Sequence, residues 1–261
     1  VISTPQTCFA TQVGAIAKHA KIRWADIDPI TGCIDPNSVK NLVNNKTKAI
    51  LAVNWAGRIC NFVELKSFGI PVIEDAAHSW DVFNRNPCER GDYICYSFQA
   101  VKFLTTSDGG LLITPKEKEE KARLLRWYGL DRTKSQSFRC TQNIDHAGFK
   151  YHMNDVAAAI GISNIPCARE SVLKHRKNTE YLIKSINNHD VVNPSWDEFC
   201  SFWIYSLHVQ NGRKNEFMDH MNSHKISVGP VHYRNDKYEC TKAFREGELK
   251  GVDLFTETQV T

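Results

Sequence analysis

Lys102 sits among apolar neighbours, between two stretches that read as strands. It lies in Ser97-Phe98-Gln99-Ala100-Val101-Lys102-Phe103-Leu104-Thr105-Thr106-Ser107-Asp108-Gly109-Gly110. A lysine held among apolar groups loses hydration, its pKa falls, and the neutral amine becomes available as a nucleophile. The competing reading is a strand-end lysine whose stem covers the core while its ammonium reaches water. Upstream, Asp75-Ala76-Ala77-His78 brings a carboxylate and an imidazole to the end of another apolar run. Asp75 also reads as a helix N-cap, and His78 as a core histidine with its nitrogens satisfied.

The elements that must position these groups alternate. Val1–Pro5, Ile22–Ile27, Thr47–Trp55, Ile70–Ile73 (ending at Glu74-Asp75), Tyr93–Phe98 and Leu111–Thr114 read as strands. Helices are expected over Thr11–Lys18, from Asp35-Pro36 onward, and over Val63–Phe68, with Asp35 as cap and Pro36 in the first turn. That order implies βαβ units and a mostly parallel sheet, with ligands at the carboxyl ends of its strands, where Asp75 and Lys102 fall. Further on, the spacing predicts helices over Lys116–Tyr128, Asn154–Ile162, Ala168–Ile186 and Asn215–Ser223, and strands over Phe202–Gln210 and Ile226–Tyr233. A division follows into 1–167, a large domain, and 168–261, a smaller α/β domain.

Composition narrows the function classes. The 261 residues are 42% hydrophobic and 24% charged, with a net charge of +4 spread evenly. That gives no basic face for nucleic acid. Nine scattered cysteines form no C-x-x-C pair, which argues against a zinc site or a disulfide framework and for a reducing, cytoplasmic setting. Several of them, Cys95 among them, read as small core residues. No apolar run reaches the roughly 18 residues needed to span a bilayer. No G-x-G-x-x-G follows a predicted strand, so a nicotinamide dehydrogenase is discounted.

Three segments in order carry a resemblance: VIEDAAHS (72–79), GDYICYSFQAVKFLTTSDGGLLIT (91–114) and GFKYHMNDVAAAIG (148–161), with TPQTCFAT and ADIDP as weaker matches. The chain resembles the DegT/DnrJ/StrS sugar aminotransferases, pyridoxal-phosphate enzymes of fold type I. The resemblance implies an α/β fold: a large domain with a central, mostly parallel sheet, and a partial smaller α/β C-terminal domain. It implies that Lys102 is the Schiff-base lysine and proton shuttle, and that Asp75 partners the pyridine nitrogen. His78 would lie against the ring near its phenolic oxygen. Ser97 would help hold the phosphate, and His152 would reach the phosphate of a neighbouring site across a homodimer with shared active sites.

Cys8 falls where many relatives carry an aromatic residue stacked on the ring. The adjacent Phe9 would face the other way if this stretch is a strand. The amino donor implied is glutamate, and the acceptor a keto group on a nucleotide-linked sugar. Arg132, Lys134, Arg139 and Lys150 are candidates for its diphosphate, and His232 and Tyr233 for the substrate. The family's upstream phosphate-cradling segment would precede Val1, so the chain reads as truncated at both ends. Two alternatives accompany this reading. One is a non-catalytic or truncated member acting as a binding module. The other is a sugar dehydratase, against which Lys102 speaks because such relatives carry histidine there.

Overall fold

The computed structural model describes residues 1–80, 85–133 and 141–261; Lys134, Arg139 and Cys140 lie outside them. In chain order the main elements are β1 (Ile2–Ser3), α1 (Ala10–Ala17), β2 (Arg23–Trp24), α2 (Pro36–Leu42), β3 (Ile50–Val53), α3 (Phe62–Ser67), β4 (Val72–Asp75), β5 (Tyr93–Ser97), β6 (Gly110–Ile113), α4 (Glu119–Leu125), α5 (Asp155–Ser185), β7 (Val191–Val192), β8 (Leu207–Val209), α6 (Lys214–Ser223), α7 (Lys250–Thr258) and β9 (Gln259–Val260).

A six-stranded sheet runs β2-β1-β3-β4-β5-β6. Its first five strands are parallel and β6 is antiparallel to β5. The expected α/β architecture is therefore present. β3 is buried along its whole length, as a continuous apolar run in a parallel sheet should be. On one side, Ile2, Ile50, Val72, Phe62 and Leu65 pack in a single core cluster. Asp35 caps α2 by accepting the Asn37 N–H, with Pro36 at the first helical position, the pattern the sequence announces. Asn61 caps α3 in the same manner through the Glu64 N–H.

Behind the site, Glu74 is fully buried and ion-paired to the buried Arg85 at 2.8 Å. Its carboxylate also accepts from Asn54 Nδ2 at 2.6 Å and from the Gly91 N–H at 2.9 Å. A buried carboxylate satisfied this fully ties β4 to the chain that leads into β5.

The second half departs from expectation in several places. The two helices expected over 154–162 and 168–186 are one helix, α5, which runs through Pro166. A proline removes one i→i−4 bond but need not end a helix whose flanking turns are held. Gly161 lies against Thr106, and Ala168 and Val172 are fully buried. The helix thus crosses residue 167, where the sequence suggested a division.

The strand expected over 202–210 is shorter, β8, because Cys200 to Trp203 turns inward instead (below). Ile226–Tyr233 is not a strand. Pro230 has no N–H to give, and the Val231 N–H goes to the Gln259 side chain. Gly229 exchanges backbone hydrogen bonds with Thr261, while the Ile226 N–H turns back to Met221 O at the end of α6. The three-stranded sheet β7-β8-β9 is completed by residues 259–260.

Helix α7 was not anticipated. Its first N–H groups, from Gly251 and Val252, are accepted by the Asp26 carboxylate at 2.8 and 2.9 Å. Its Val252 and Phe255 join Ile22, Trp24, Ile27 and Trp55 in one core cluster, so the end of the chain packs into the first sheet. Cys95 also differs from expectation. It is exposed, on the face of β5 that meets Asp75 of β4 in register, whereas Cys33, Cys60 and Cys200 are buried.

Candidate active site

The site is built at the carboxyl ends of β4 and β5. Asp75 is the last residue of β4, and its carboxylate is held from two sides. Thr11 Oγ1, on α1, donates to one oxygen at 2.7 Å, and the Ala77 N–H donates to the other at 3.0 Å. Burial raises the Asp75 pKa above the ordinary aspartate value. The two hydrogen bonds and the charge of Lys102 act against that rise.

His78 follows in the turn after β4 and is 3% exposed. Its Nδ1 accepts the Ala56 N–H at 3.3 Å, so the neutral ring carries its proton on Nε2. Burial, then the charges of Lys102 and His232, keep its pKa well below the ordinary histidine value. At neutral pH His78 is an uncharged donor.

Lys102 lies in the turn after β5, half-buried. Its pKa is lowered by burial, while Asp75 and Cys8 act to raise it. That mutual influence places Asp75, His78, His232, Cys8 and Lys102 in one electrostatic neighbourhood. The Lys102 Nζ lies 3.8 Å from the centre of the Trp203 ring, and the same indole stacks on His78 at 4.2 Å and 22°. His232 lies near-parallel to His78 at 5.5 Å. Its Nε2 is buried without a hydrogen-bond partner.

Trp203 is a residue that sequence reading did not find. Its segment is pinned by the Ser201 N–H to Gly57 O at 3.1 Å, the Trp203 N–H to Ala56 O at 2.9 Å, and Ser201 Oγ to His78 O at 3.3 Å. Ala56 and Phe202 both hold positive φ, 55° and 48°, a conformation that costs non-glycine residues about 1–3 kcal/mol. Gly57, at φ 92°, has no room for a Cβ, which would fall 2.2 Å from Ser201 Oγ. The only available sign in sequence was an aromatic cluster, Phe202-Trp203, which reads equally well as strand.

The other expected residues divide. Ser97 ends β5 beside Asp75's strand, and its Oγ accepts the Gln99 N–H at 3.3 Å. Cys8 is exposed near the amine, and Phe9 turns to an edge contact with Tyr238 at 5.3 Å. Tyr233 is 63% exposed and lies against Tyr238 at 5.2 Å.

His152 belongs to a separate cluster. Its ring lies 3.6 Å from that of Trp127, whose indole also receives Arg132 at 4.5 Å and Lys150 at 5.0 Å. The pKa of His152 is lowered by loss of hydration and by Lys150, Arg132 and Arg126. Its Nδ1 too is buried without a partner. Among the described residues no group of three or more His, Cys, Asp or Glu side chains could hold a metal. No described helix is long and apolar enough to cross a membrane.

The donor set fits pyridoxal phosphate. A carboxylate, a serine hydroxyl and an amine of lowered pKa lie at or just after the ends of adjacent strands, and the Nε2 of His232, whose ring lies beside His78, is buried without a partner. Comparison with known proteins gives the fold and the family. AtS13 from Actinomadura melliaura superposes with a TM-score of 0.91 at 31% identity, over 99% of this chain and 73% of that one. The sugar aminotransferase CalS13 from Micromonospora echinospora gives 0.90 at 27% identity, over the same shares. An uncharacterized protein of Methanocaldococcus jannaschii is 28% identical, over all of this chain and 73% of its own length. The sequence model of the DegT/DnrJ/EryC1/StrS aminotransferase family matches residues 1–259, and to that family the chain belongs.

Proposed function

We propose that this chain is a sugar aminotransferase that uses pyridoxal phosphate to move an amino group from glutamate to a keto group on a nucleotide-linked sugar. One observation carries the reading: an amine of lowered pKa stands at the strand ends in the neighbourhood of a half-buried carboxylate and a neutral imidazole. CalS13, at 27% identity, is a sugar aminotransferase, which supports a sugar acceptor.

When bound, the cofactor supplies an aldehyde for covalent attachment and an electron-withdrawing ring. Asp75 would hold that ring through its nitrogen, and the carboxylate favours the protonated nitrogen. His78 would orient it with the Nε2 proton, and Ser97 would take a phosphate oxygen. Cys8 and His232 complete the wall. The lowered pKa of Lys102 leaves more of its amine neutral at physiological pH, which suits attack on the aldehyde. Once free of that bond, Nζ would be the base that carries the proton from the donor's α-carbon to the carbon that had borne the aldehyde.

The basic cluster of Arg132, Lys150 and His152 around Trp127 is suited to phosphate groups, with Tyr233 and His232 nearer the sugar. Helix α5 leaves Val156 and Ile162 about 70% exposed. We assign this exposed start of α5, with β6, to a homodimer with shared active sites. A division into 1–167 and 168–261 belongs to the same proposal.

The test is the visible absorbance spectrum after adding pyridoxal phosphate, beside a Lys102→Ala control. A new band that borohydride removes, with the label fixed on Lys102 and lost in the control, is expected. Glutamate should then bleach or shift the band. No band in either protein would refute the proposal.

A further inference from the structure

We infer that Trp203 is the positioning residue for the reactive amine: its indole face holds the Lys102 ammonium and, by stacking on His78, fixes where that amine stands relative to the imidazole. The inference takes Lys102 as the reacting group and so rests on the function proposed above. The contact itself requires no cofactor.

The geometry is specific on three counts. Nζ to ring centre is 3.8 Å, well inside the range at which an indole's electron-rich face attracts a cation. The stacking on His78 at 4.2 Å and 22° leaves the ring little freedom to turn. Trp203 Nε1 donates to Val101 O at 3.1 Å, so the residue preceding the lysine is tied to the indole that receives its side chain. The backbone behind this arrangement is strained at Ala56 and Phe202. It is also closed at Gly57, as expected where surrounding structure over-determines a working position.

A cation–π contact favours the charged amine. It therefore opposes the burial that lowers the Lys102 pKa, as Asp75 and Cys8 also do. The groups facing the amine are Asp75 from β4, Cys8 from the turn before α1, His78 from the turn after β4, and His232 from the segment before β9. Substituting Trp203 removes none of these groups, though His78 loses its stacking partner. A leucine there keeps an apolar neighbour but removes the ring face. A phenylalanine keeps a ring face but loses the Nε1 bond.

The experiment follows the rate of Lys102 acetylation by acetic anhydride against pH in the cofactor-free protein, read by peptide mass spectrometry. Trp203→Leu should label roughly two- to tenfold faster on the acid side of the profile, its midpoint moved to lower pH. Trp203→Phe should restore most of the wild-type profile. An unmoved profile in Trp203→Leu, or one moved to higher pH, would overturn the inference. So would a Phe variant as shifted as the Leu variant, since the hydrogen bond rather than the ring face would then be responsible. The two readings fail separately. If wild-type Lys102 takes no borohydride-fixed pyridoxal phosphate, the function falls. If it does, and the acetylation profiles coincide, only the role of Trp203 falls.

Discussion

At the scale of single residues, Lys102 is balanced between opposed influences. Burial lowers its pKa, while the Asp75 carboxylate raises it. Neutralising that carboxylate should therefore tip the balance further toward the free amine. In Asp75→Asn, the acetylation profile of Lys102 is expected to move to lower pH, with labelling several-fold faster on its acid side. Pyridoxal phosphate bound to this variant should lose its ring-nitrogen partner, so turnover should fall far more than cofactor binding. His78 makes the opposite prediction. Its pKa lies well below the ordinary histidine value, so it stays neutral above about pH 6.5 and contributes no step to a pH–rate profile in the neutral range. A histidine titration seen near neutrality and abolished in His78→Gln would contradict this.

At the scale of elements, legibility depended on how local the determinants were. Asp35-Pro36 and Asn61 announce α2 and α3 because cap and helix are neighbours in sequence. The start of α7 is capped by Asp26, more than two hundred residues away, and no local signal marks it. The two helices expected on either side of Pro166 are one, α5, held by packing against Thr106 and by the buried Ala168 and Val172. Lys102 and Asp75 stand out in sequence through the motifs that carry the family resemblance, because an apolar setting alone also suits a strand-end lysine and a helix cap. Trp203 does not, because its partners Ala56, Gly57 and His78 come from two other turns. Those turns carry a stability prediction. Gly57→Ala places a Cβ against Ser201 Oγ and His78 O at a φ of 92°. It should cost upward of about 1 kcal/mol, read by denaturant unfolding, and should shift the Lys102 profile in the same direction as Trp203→Leu.

For the whole molecule, β6 and α5 both carry exposed apolar side chains. Leu111, Leu112 and Ile113 of β6 are each more than 40% exposed, and Val156, Ile162 and Ile165 of α5 more than 50%. A surface of that kind is expected to be covered by another chain. Light scattering should give a dimer for the purified protein, and Ile162→Asp should move it toward monomer with far-UV circular dichroism unchanged. A wild-type protein that remains monomeric at micromolar concentration would remove the shared-site arrangement from the proposal.

Helix α5 has a further consequence. On one turn Asn164 Nδ2 donates to Thr105 O, in the loop that carries the lysine. Farther along, His175 Nδ1 meets Phe202 O at 3.0 Å, next to the tryptophan. These two fastenings stand eleven residues apart on one rod, roughly 16 Å of axial rise. The rod therefore acts as a gauge, setting the spacing between the amine and the indole that receives it. A partner chain pressing on the exposed side of that rod would adjust both at once, so assembly and amine reactivity should vary together.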